Sequence, residues 1–173
     1  MHMKNSAIFK ETSLVFPSRK MVQIMEKLCN KSGKYTGEGL NDHDDHFTCY
    51  MDIEPVINND GVQIRFKTVD KNGTINNEEH TLIALNTENI ISLWTLNNSF
   101  HTYIPFEFRD HKNLNDEKEI LIFSFGETRK NINFREEISI ELYHNGNIGY
   151  NYYWGFPNGE FLARTNSLMK KIE

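Results

Sequence analysis

The stretch Glu137-Ile138-Ser139-Ile140-Glu141-Leu142 alternates polar and apolar side chains without interruption. Successive side chains of a β-strand point to opposite faces, so this order places isoleucine and leucine on one face and glutamate and serine on the other. One dry and one wet face is typical of an antiparallel sheet that covers a core on one side. Residues 62–68 repeat the arrangement, with Val62, Ile64 and Phe66 on the apolar face.

The same period of two continues through nearly the whole chain after Gly33. The predicted strands are residues 33–39, 46–54, 62–69, 74–85, 90–97, 100–109, 119–126, 134–143, 148–155 and 160–167. Asn, Asp and Gly residues that accept positive φ separate several of them, at residues 58–61, 70–73, 145–147 and 157–159. Strands joined this closely pair antiparallel, because a parallel crossover needs a dozen or more residues. The sequence therefore predicts a meander, with residues 110–118 as a mobile surface loop.

One segment has a helical period instead. Met21, Ile24, Met25 and Leu28 fall on one face of a helix, and Pro17 suits its start. A long meander leaves two exposed edges unless its first and last strands pair, so closure is favoured over an open sheet.

The predicted fold class is therefore mainly β, an antiparallel meander closed into a barrel of roughly eight to ten strands with one short N-terminal helix. A single domain is predicted over residues 1–173, with the helix at about 17–30 and the barrel at about 33–168.

Composition and charge narrow the class of partner. The chain has 24 acidic and 19 basic residues and a formal net charge of −5, so nothing draws it generally to phosphate backbones or anionic membranes. No run approaches the ~18 apolar residues of a transmembrane helix. Cys29 and Cys49 lack the spacing of a metal motif or a disulfide scaffold. We expect a cytoplasmic protein with no nucleic-acid partner, no membrane span and no cofactor. Whether it forms a homodimer is left open.

The segment Gly33-Lys34-Tyr35-Thr36-Gly37-Glu38-Gly39, which follows a short helix and opens the meander, carries a resemblance. It resembles the first strand of calycin-type barrels: lipocalins, fatty-acid-binding proteins, and nitrobindin-like and related uncharacterised bacterial barrels. The resemblance implies a barrel around an internal pocket. Nitrobindin-like barrels bind haem through a histidine near the C-terminus, whereas this chain has no histidine after His144. Fatty-acid-binding proteins end on Arg-x-Tyr, whereas the corresponding residues here are Arg164-Thr165-Asn166, which lack the tyrosine.

An aromatic cluster near the C-terminus is the first candidate site. Tyr150, Tyr152 and Trp154 share one strand face and would line the barrel interior together with residues such as Phe66. Arg164 on the next strand could offer two donors to a carboxylate or phosphate. In the alternative interpretation the aromatic rings fill the barrel, and Arg164 faces solvent or an acidic neighbour.

Glu136 is the second candidate, because it shares strand parity with Ile138 and Ile140 and so points toward the apolar face. A buried carboxylate needs a partner, for which Arg65, Arg109, Arg135 and Arg164 are available. A frayed strand end explains Glu136 equally well.

The third candidate is His43-Asp44-Asp45-His46, whose side chains are of the types that bind transition metals. Adjacent residues rarely converge on one ion without a distant ligand, so a polar loop is favoured, and His43 and His46 are weak metal candidates.

The leading hypothesis is binding of a small hydrophobic or amphipathic molecule inside the barrel, with Arg164 as an anchor for an anionic head. Hydrolase and phosphate-loop motifs are absent from the sequence, which argues against an enzyme without excluding one. Two alternatives stay open: a filled barrel that acts as a structural or protein-interaction module, and a metal-dependent enzyme with its site near His43 and His46.

Overall fold

The structure, a computed structural model, describes residues 16–99, 102–114, 117–126 and 133–172. Within these ranges the chain forms one helix followed by ten strands. The elements are α1 (Arg19–Cys29), β1 (Gly33–Asn41), β2 (His46–Val56), β3 (Gly61–Val69), β4 (Ile75–Leu85), β5 (Ile91–Asn97), β6 (Ile104–Leu114), β7 (Lys118–Phe125), β8 (Arg135–Tyr143), β9 (Ile148–Gly155) and β10 (Leu162–Lys171). The predicted fold class is confirmed. Residues 100 and 101 of the predicted strand 100–109 lie outside the described ranges.

Each strand pairs antiparallel with its neighbour in sequence, and β1 pairs with β10 to close the barrel. The seam is tight. A Cβ atom on Gly37 would overlap the carbonyl oxygen of Leu168, so only glycine lets β1 approach β10 this closely. The glycines of the first strand therefore serve closure of the barrel.

Helix α1 lies at the barrel end where β1 begins. Ser18 caps it by accepting a hydrogen bond from the Met21 amide, and its buried face is Ile24, Met25 and Leu28. We call this the proximal end, and the opposite end, where β1 finishes and β2 begins, the distal end. The interior next to α1 is aliphatic, lined by Val62, Ile64, Ile83, Ile91, Leu93, Leu121, Ile140, Leu142 and Ile148.

The prediction of a surface loop at residues 110–118 is wrong for 110–114 and 118, which lie in strands, and residues 115 and 116 lie outside the described ranges. β6 runs to Leu114 and β7 starts at Lys118, with Asp110 opposite Ile122 and His111 opposite Leu121 after an irregularity at Phe108. This hairpin extends to the proximal barrel end, where polar side chains are tolerated on both faces because solvent is near. The polar composition therefore indicated solvent exposure and not the absence of a strand.

Lys27 attaches α1 to this hairpin. Its Nζ lies 2.7 Å from the Glu119 carboxylate, which also lies 2.6 Å from Nε2 of His111. No helix in the described part of the chain has the length and apolar character needed to cross a membrane.

Candidate functional site

A hydrogen bond crosses the barrel interior between Tyr150 and Glu79. β9 and β4 stand five places apart in the closed ring of ten strands, so the two side chains come from opposite walls. Tyr150 Oη donates to Glu79 Oε1, and Thr81 Oγ1 lies 2.8 Å from the same oxygen. Thr95 Oγ1 lies 3.0 Å from Thr81 Oγ1 and extends the chain of hydroxyls. Glu79 and Tyr150 are 3% and 1% exposed, so this network is inside the protein.

Three buried polar atoms next to this network have no hydrogen-bond partner among the described residues. They are Oε2 of Glu79, Oε2 of Glu136 and the hydroxyl oxygen of Tyr152. Leaving a buried polar group unpaired costs roughly 1–3 kcal/mol. Because such groups are rare in folded proteins, their concentration within one cluster points to a role other than stability. We call Glu79, Glu136, Tyr150 and Tyr152 the acid–phenol cluster.

Burial determines the protonation of the cluster. Loss of hydration raises the pKa of Glu136 to about 7, and the Glu79 carboxyl adds to the increase. Burial also raises the pKa of Glu79, against the lowering effect of the hydrogen bonds from Tyr150 and Thr81. The pKa values of Tyr150 and Tyr152 are raised by burial and then by the nearby carboxyls, so both phenols stay neutral. Near neutral pH Glu136 therefore populates both its protonated and its ionised form.

Aromatic rings surround the cluster. The ring of Phe66, which is opposite Glu79 in the β3–β4 register, lies 4.9 Å from the ring of Tyr150. Phe106 lies 6.4 Å from Tyr152 and 6.2 Å from Phe125, and Phe125 is opposite Glu136 between β7 and β8. Edge-to-face and tilted contacts of this kind fill space efficiently. The distal half of the barrel is thus an aromatic shell around a polar centre.

Trp154 and Arg164 form the rim of the distal end. The Arg164 guanidinium lies 3.8 Å above the Trp154 ring, and Nη1 lies 2.6 Å from Oδ2 of Asp42. The hydrogen bond from Arg164 is the main cause that lowers the pKa of Asp42. Trp154 also packs against Phe156, at 5.0 Å between ring centroids. Arg164 therefore has an acidic neighbour, as in the alternative interpretation of the sequence.

The structure brings together most of the residues that the sequence singled out. Phe66, Glu136, Tyr150 and Tyr152 meet in the distal half, and Glu136 is buried, with 1% of its surface exposed. Glu136 points inward, as one of its two interpretations predicted from strand parity. The other interpretation, a frayed strand end, is wrong. Trp154 shares this face but stands at the rim.

The suggested arginine partners of Glu136 bind other groups instead. Arg65 lies on the outer surface, 3.2 Å from Glu54, and Arg109 lies 3.5 Å from Glu107. Arg135 adjoins Glu136 in sequence and so points to the other face of β8, where it donates to the carbonyl groups of Phe156 and Gly159. None of the arginines available as partners therefore pairs with Glu136, because they lie on outer faces or at the rim.

His43 and His46 lie apart from the cluster. The His43 side chain is 79% exposed, and its backbone amide donates to the side chain of Asn41 within a polar turn. His46 starts β2 opposite Leu40 and is exposed. No three His, Cys, Asp or Glu side chains of the described residues converge on a metal-sized space.

Burial also makes Cys49 a poor nucleophile, because it raises the pKa of its thiol to about 12. Both cysteines are free thiols.

Sequence reasoning missed Glu79. Its strand carries Glu78, Glu79 and His80 in succession, so composition does not distinguish the inner from the outer face. Phe66 faces the core and Glu79 is its cross-strand partner, but this pairing depends on a register shift in β4 that the sequence does not show.

Among the grooves on the outer surface of the described residues, two have volumes of several hundred Å³. The larger, of about 870 Å³, crosses β1 to β5 and is lined among others by Tyr50, Arg65 and Leu96. The smaller, of about 450 Å³, contains Lys118 and Glu141, whose charged atoms are 2.8 Å apart. The lining of the larger groove also includes Phe66 and Glu79, so it adjoins one residue of the acid–phenol cluster, whereas no residue with an unpaired buried polar atom lines the smaller groove.

These features define a closed ten-stranded antiparallel β-barrel with a polar cluster in its distal half. The solved structure of Rv2717c from M. tuberculosis has a similar fold, with a TM-score of 0.67 and 10% sequence identity over 91% of this chain and 100% of that one. A de novo designed fluorescence-activating β-barrel gives a TM-score of 0.45 and 8% identity over 84% of this chain and 98% of that one. No protein-family model and no curated protein matches the chain.

Proposed function

We propose that this protein binds a small hydrophobic or amphipathic molecule in the distal half of its barrel, in the manner of calycin-like proteins. The observation that supports this is the set of three unpaired polar atoms, on Glu79, Glu136 and Tyr152, inside an aromatic shell. Apolar walls with a few convergent polar groups are typical of small-molecule sites.

Binding of such a molecule needs no covalent chemistry. The apolar part of the ligand replaces contacts among the distal aromatic rings, and burial of its surface contributes roughly 25 cal/mol per Å². The ligand enters at the rim, where Tyr152 and Trp154 are only partly buried. Because the rings pack closely, the Trp154 side chain at the rim moves aside when the ligand binds. The polar end of the ligand then takes up the unpaired oxygens of the cluster, which fixes its orientation.

The two tryptophans allow a direct test. Trp94 is on β5 and pairs with Pro105, whereas Trp154 is at the rim. In a Trp94→Phe variant, titration with 1-decanol should give a saturable change in Trp154 fluorescence. The matched Trp154→Phe variant, which keeps Trp94, should bind decanol with little change in fluorescence. If decanol, decylamine and decanoate all leave the Trp154 signal without saturation, the proposal fails.

A filled barrel that serves as a structural or interaction module is the second candidate. The close ring contacts inside the barrel favour it, together with the outer groove along β1 to β5. If the barrel is filled in this way, the same titration should show no saturable binding. The cytoplasmic location, the single domain over residues 1–173, a homodimer and a metal site at His43 and His46 stay predictions.

A further inference from the structure

The polar groups that the structure describes as buried inside the distal half include no cation. Those that the structure describes as buried on the inner face are carboxyl, hydroxyl and amide groups: Thr68, Glu79, Thr81, Thr95, Asn97, Glu136 and Tyr150. The nearest strongly cationic groups are engaged elsewhere, Arg164 with Asp42 at the rim and Arg135 with backbone carbonyls on the other face of β8. Among these groups only the carboxyls can carry a charge, and that charge is negative.

This chemistry discriminates between head groups. A carboxylate or phosphate head would meet the oxygens of Glu79 and Glu136, and desolvating it there without a cation is costly. A hydroxyl head could form one or two hydrogen bonds, with no charge to balance. A primary ammonium has three N–H donors, and the cluster leaves three acceptor atoms without partners.

From this match we infer that the ligand has an ammonium head, held by Oε2 of Glu79, Oε2 of Glu136 and Oη of Tyr152. The inference rests on the proposed function and specifies its ligand class as hydrophobic amines. Hydrogen bonds between a charged donor and a carboxylate are roughly twice as strong as neutral ones. The faces of Phe66 and Tyr150 next to Glu79 add a further attraction for a cation, as aromatic faces generally do.

Four probes with the same ten-carbon chain test the head group: decylamine, decyltrimethylammonium, 1-decanol and decanoate, titrated into the Trp94→Phe protein at pH 8. Decylamine should bind about tenfold more tightly than decanol, because charge-assisted hydrogen bonds add to the same chain burial. It should also exceed decyltrimethylammonium, which has the charge and no N–H donors. Decanoate should bind most weakly.

Substitutions of the cluster residues test where the head group of the ligand binds. Glu136→Gln should weaken decylamine binding about tenfold and leave decanol binding almost unchanged, since only the amine loses a charged partner. Glu137→Gln is the matched control, because the adjacent side chain lies on the other face of β8 and should leave both affinities as they were. Glu79→Gln and Tyr152→Phe repeat the test should Glu136→Gln fold poorly.

The outcomes separate the two claims. Decanol or decanoate binding as tightly as decylamine overturns the amine inference and leaves the proposed function in place. Decylamine affinity that is insensitive to both glutamate variants also overturns it. Saturable binding of none of the four probes overturns the proposed function as well.

Discussion

Tyr150 donates a hydrogen bond to Glu79 across the full width of the barrel, from β9 on one wall to β4 on the other. This contact separates two interiors of different chemistry. On the proximal side the core is aliphatic and closed by α1, and on the distal side it is aromatic and contains the unpaired oxygens of Glu79 and Glu136. A single tyrosine therefore forms the base of the proposed site and also joins two opposite walls of the barrel.

Tyr150→Phe should lower the free energy of unfolding by roughly 1–3 kcal/mol, because it removes the donor and leaves the Glu79 carboxyl with one fewer partner in a buried place. Urea denaturation followed by circular dichroism measures this. Tyr50→Phe is the control, since Tyr50 is 42% exposed on the outer face and its loss of a hydroxyl should change stability little. Equal effects of the two variants would mean that the cross-barrel bond contributes nothing.

Glu136 should make the protein less stable as the pH rises from about 4.5 to about 7. The folded-state pKa of about 7 is above the ordinary value of 4.5, so in this window the folded state binds more protons than the unfolded state. The free energy of unfolding therefore decreases as the pH rises through this window. The decrease is at most about 3 kcal/mol, and solvent screening near the barrel end reduces it.

Urea denaturation at pH 5, 6, 7 and 8 measures this dependence. Glu136→Gln cannot ionise and should flatten the curve, whereas Glu137→Gln should leave the part due to Glu136 in place. A wild-type curve and a Glu136→Gln curve that run parallel across this pH range would show that Glu136 ionises in the folded protein as it does in the unfolded chain.

Glu119 should hold helix α1 against the barrel. It accepts from Lys27 on α1 and contacts His111 on β6; although burial raises the pKa of Glu119, these hydrogen bonds lower it below its ordinary value. The stabilisation is present above the ordinary pKa and is lost as the pH falls through the lowered one. Glu119→Gln should cost only about 1 kcal/mol overall, since Lys27 is 44% exposed.

Hydrogen exchange gives the sharper test of this contact. Glu119→Gln should increase the exchange rates of α1 amides more than those of the β-strand amides, because it releases the helix locally. Glu26→Gln, a change on the exposed side of the same helix, is the control. Uniform acceleration throughout the barrel would indicate a global role for Glu119 instead.

The strands were predictable because local signals agreed with one another. At residues 137–142 the alternation alone fixes both the strand and its inward face, and tight turns at 70–73 and 145–147 force antiparallel pairing. The same parity gave the inward orientation of Glu136 as one of two open interpretations. The end of β6 at residues 110–114 was not predicted as a strand because polar side chains lie on both of its faces, so neither period nor composition distinguishes it from a loop.

A register shift explains why the sequence does not show that Glu79 is the buried glutamate. Val69 is opposite Ile75, and Thr68 is opposite Asn77, so one extra residue enters β4 at this point. Continued without the shift, the ladder would place Glu78 opposite Phe66 and turn it inward. Two adjacent glutamates offer no local clue as to which one is buried. The bulge decides it, and bulges depend on the assembled sheet.

Gly37→Ala tests whether close packing against β10 is the reason that the first strand is rich in glycine. Its Cβ would overlap the Leu168 carbonyl oxygen at the β1–β10 seam, and a backbone atom cannot yield as a side-chain tip can. The seam must open, which should lower the free energy of unfolding by roughly 2 kcal/mol or more. Gly73→Asn is the control, because Gly73 has a positive φ that asparagine accepts and has open space around it. If Gly37→Ala is as stable as Gly73→Asn, close approach of β1 to β10 does not explain the glycines, and the seam in solution is looser than the pairing of Gly37 with Met169 implies.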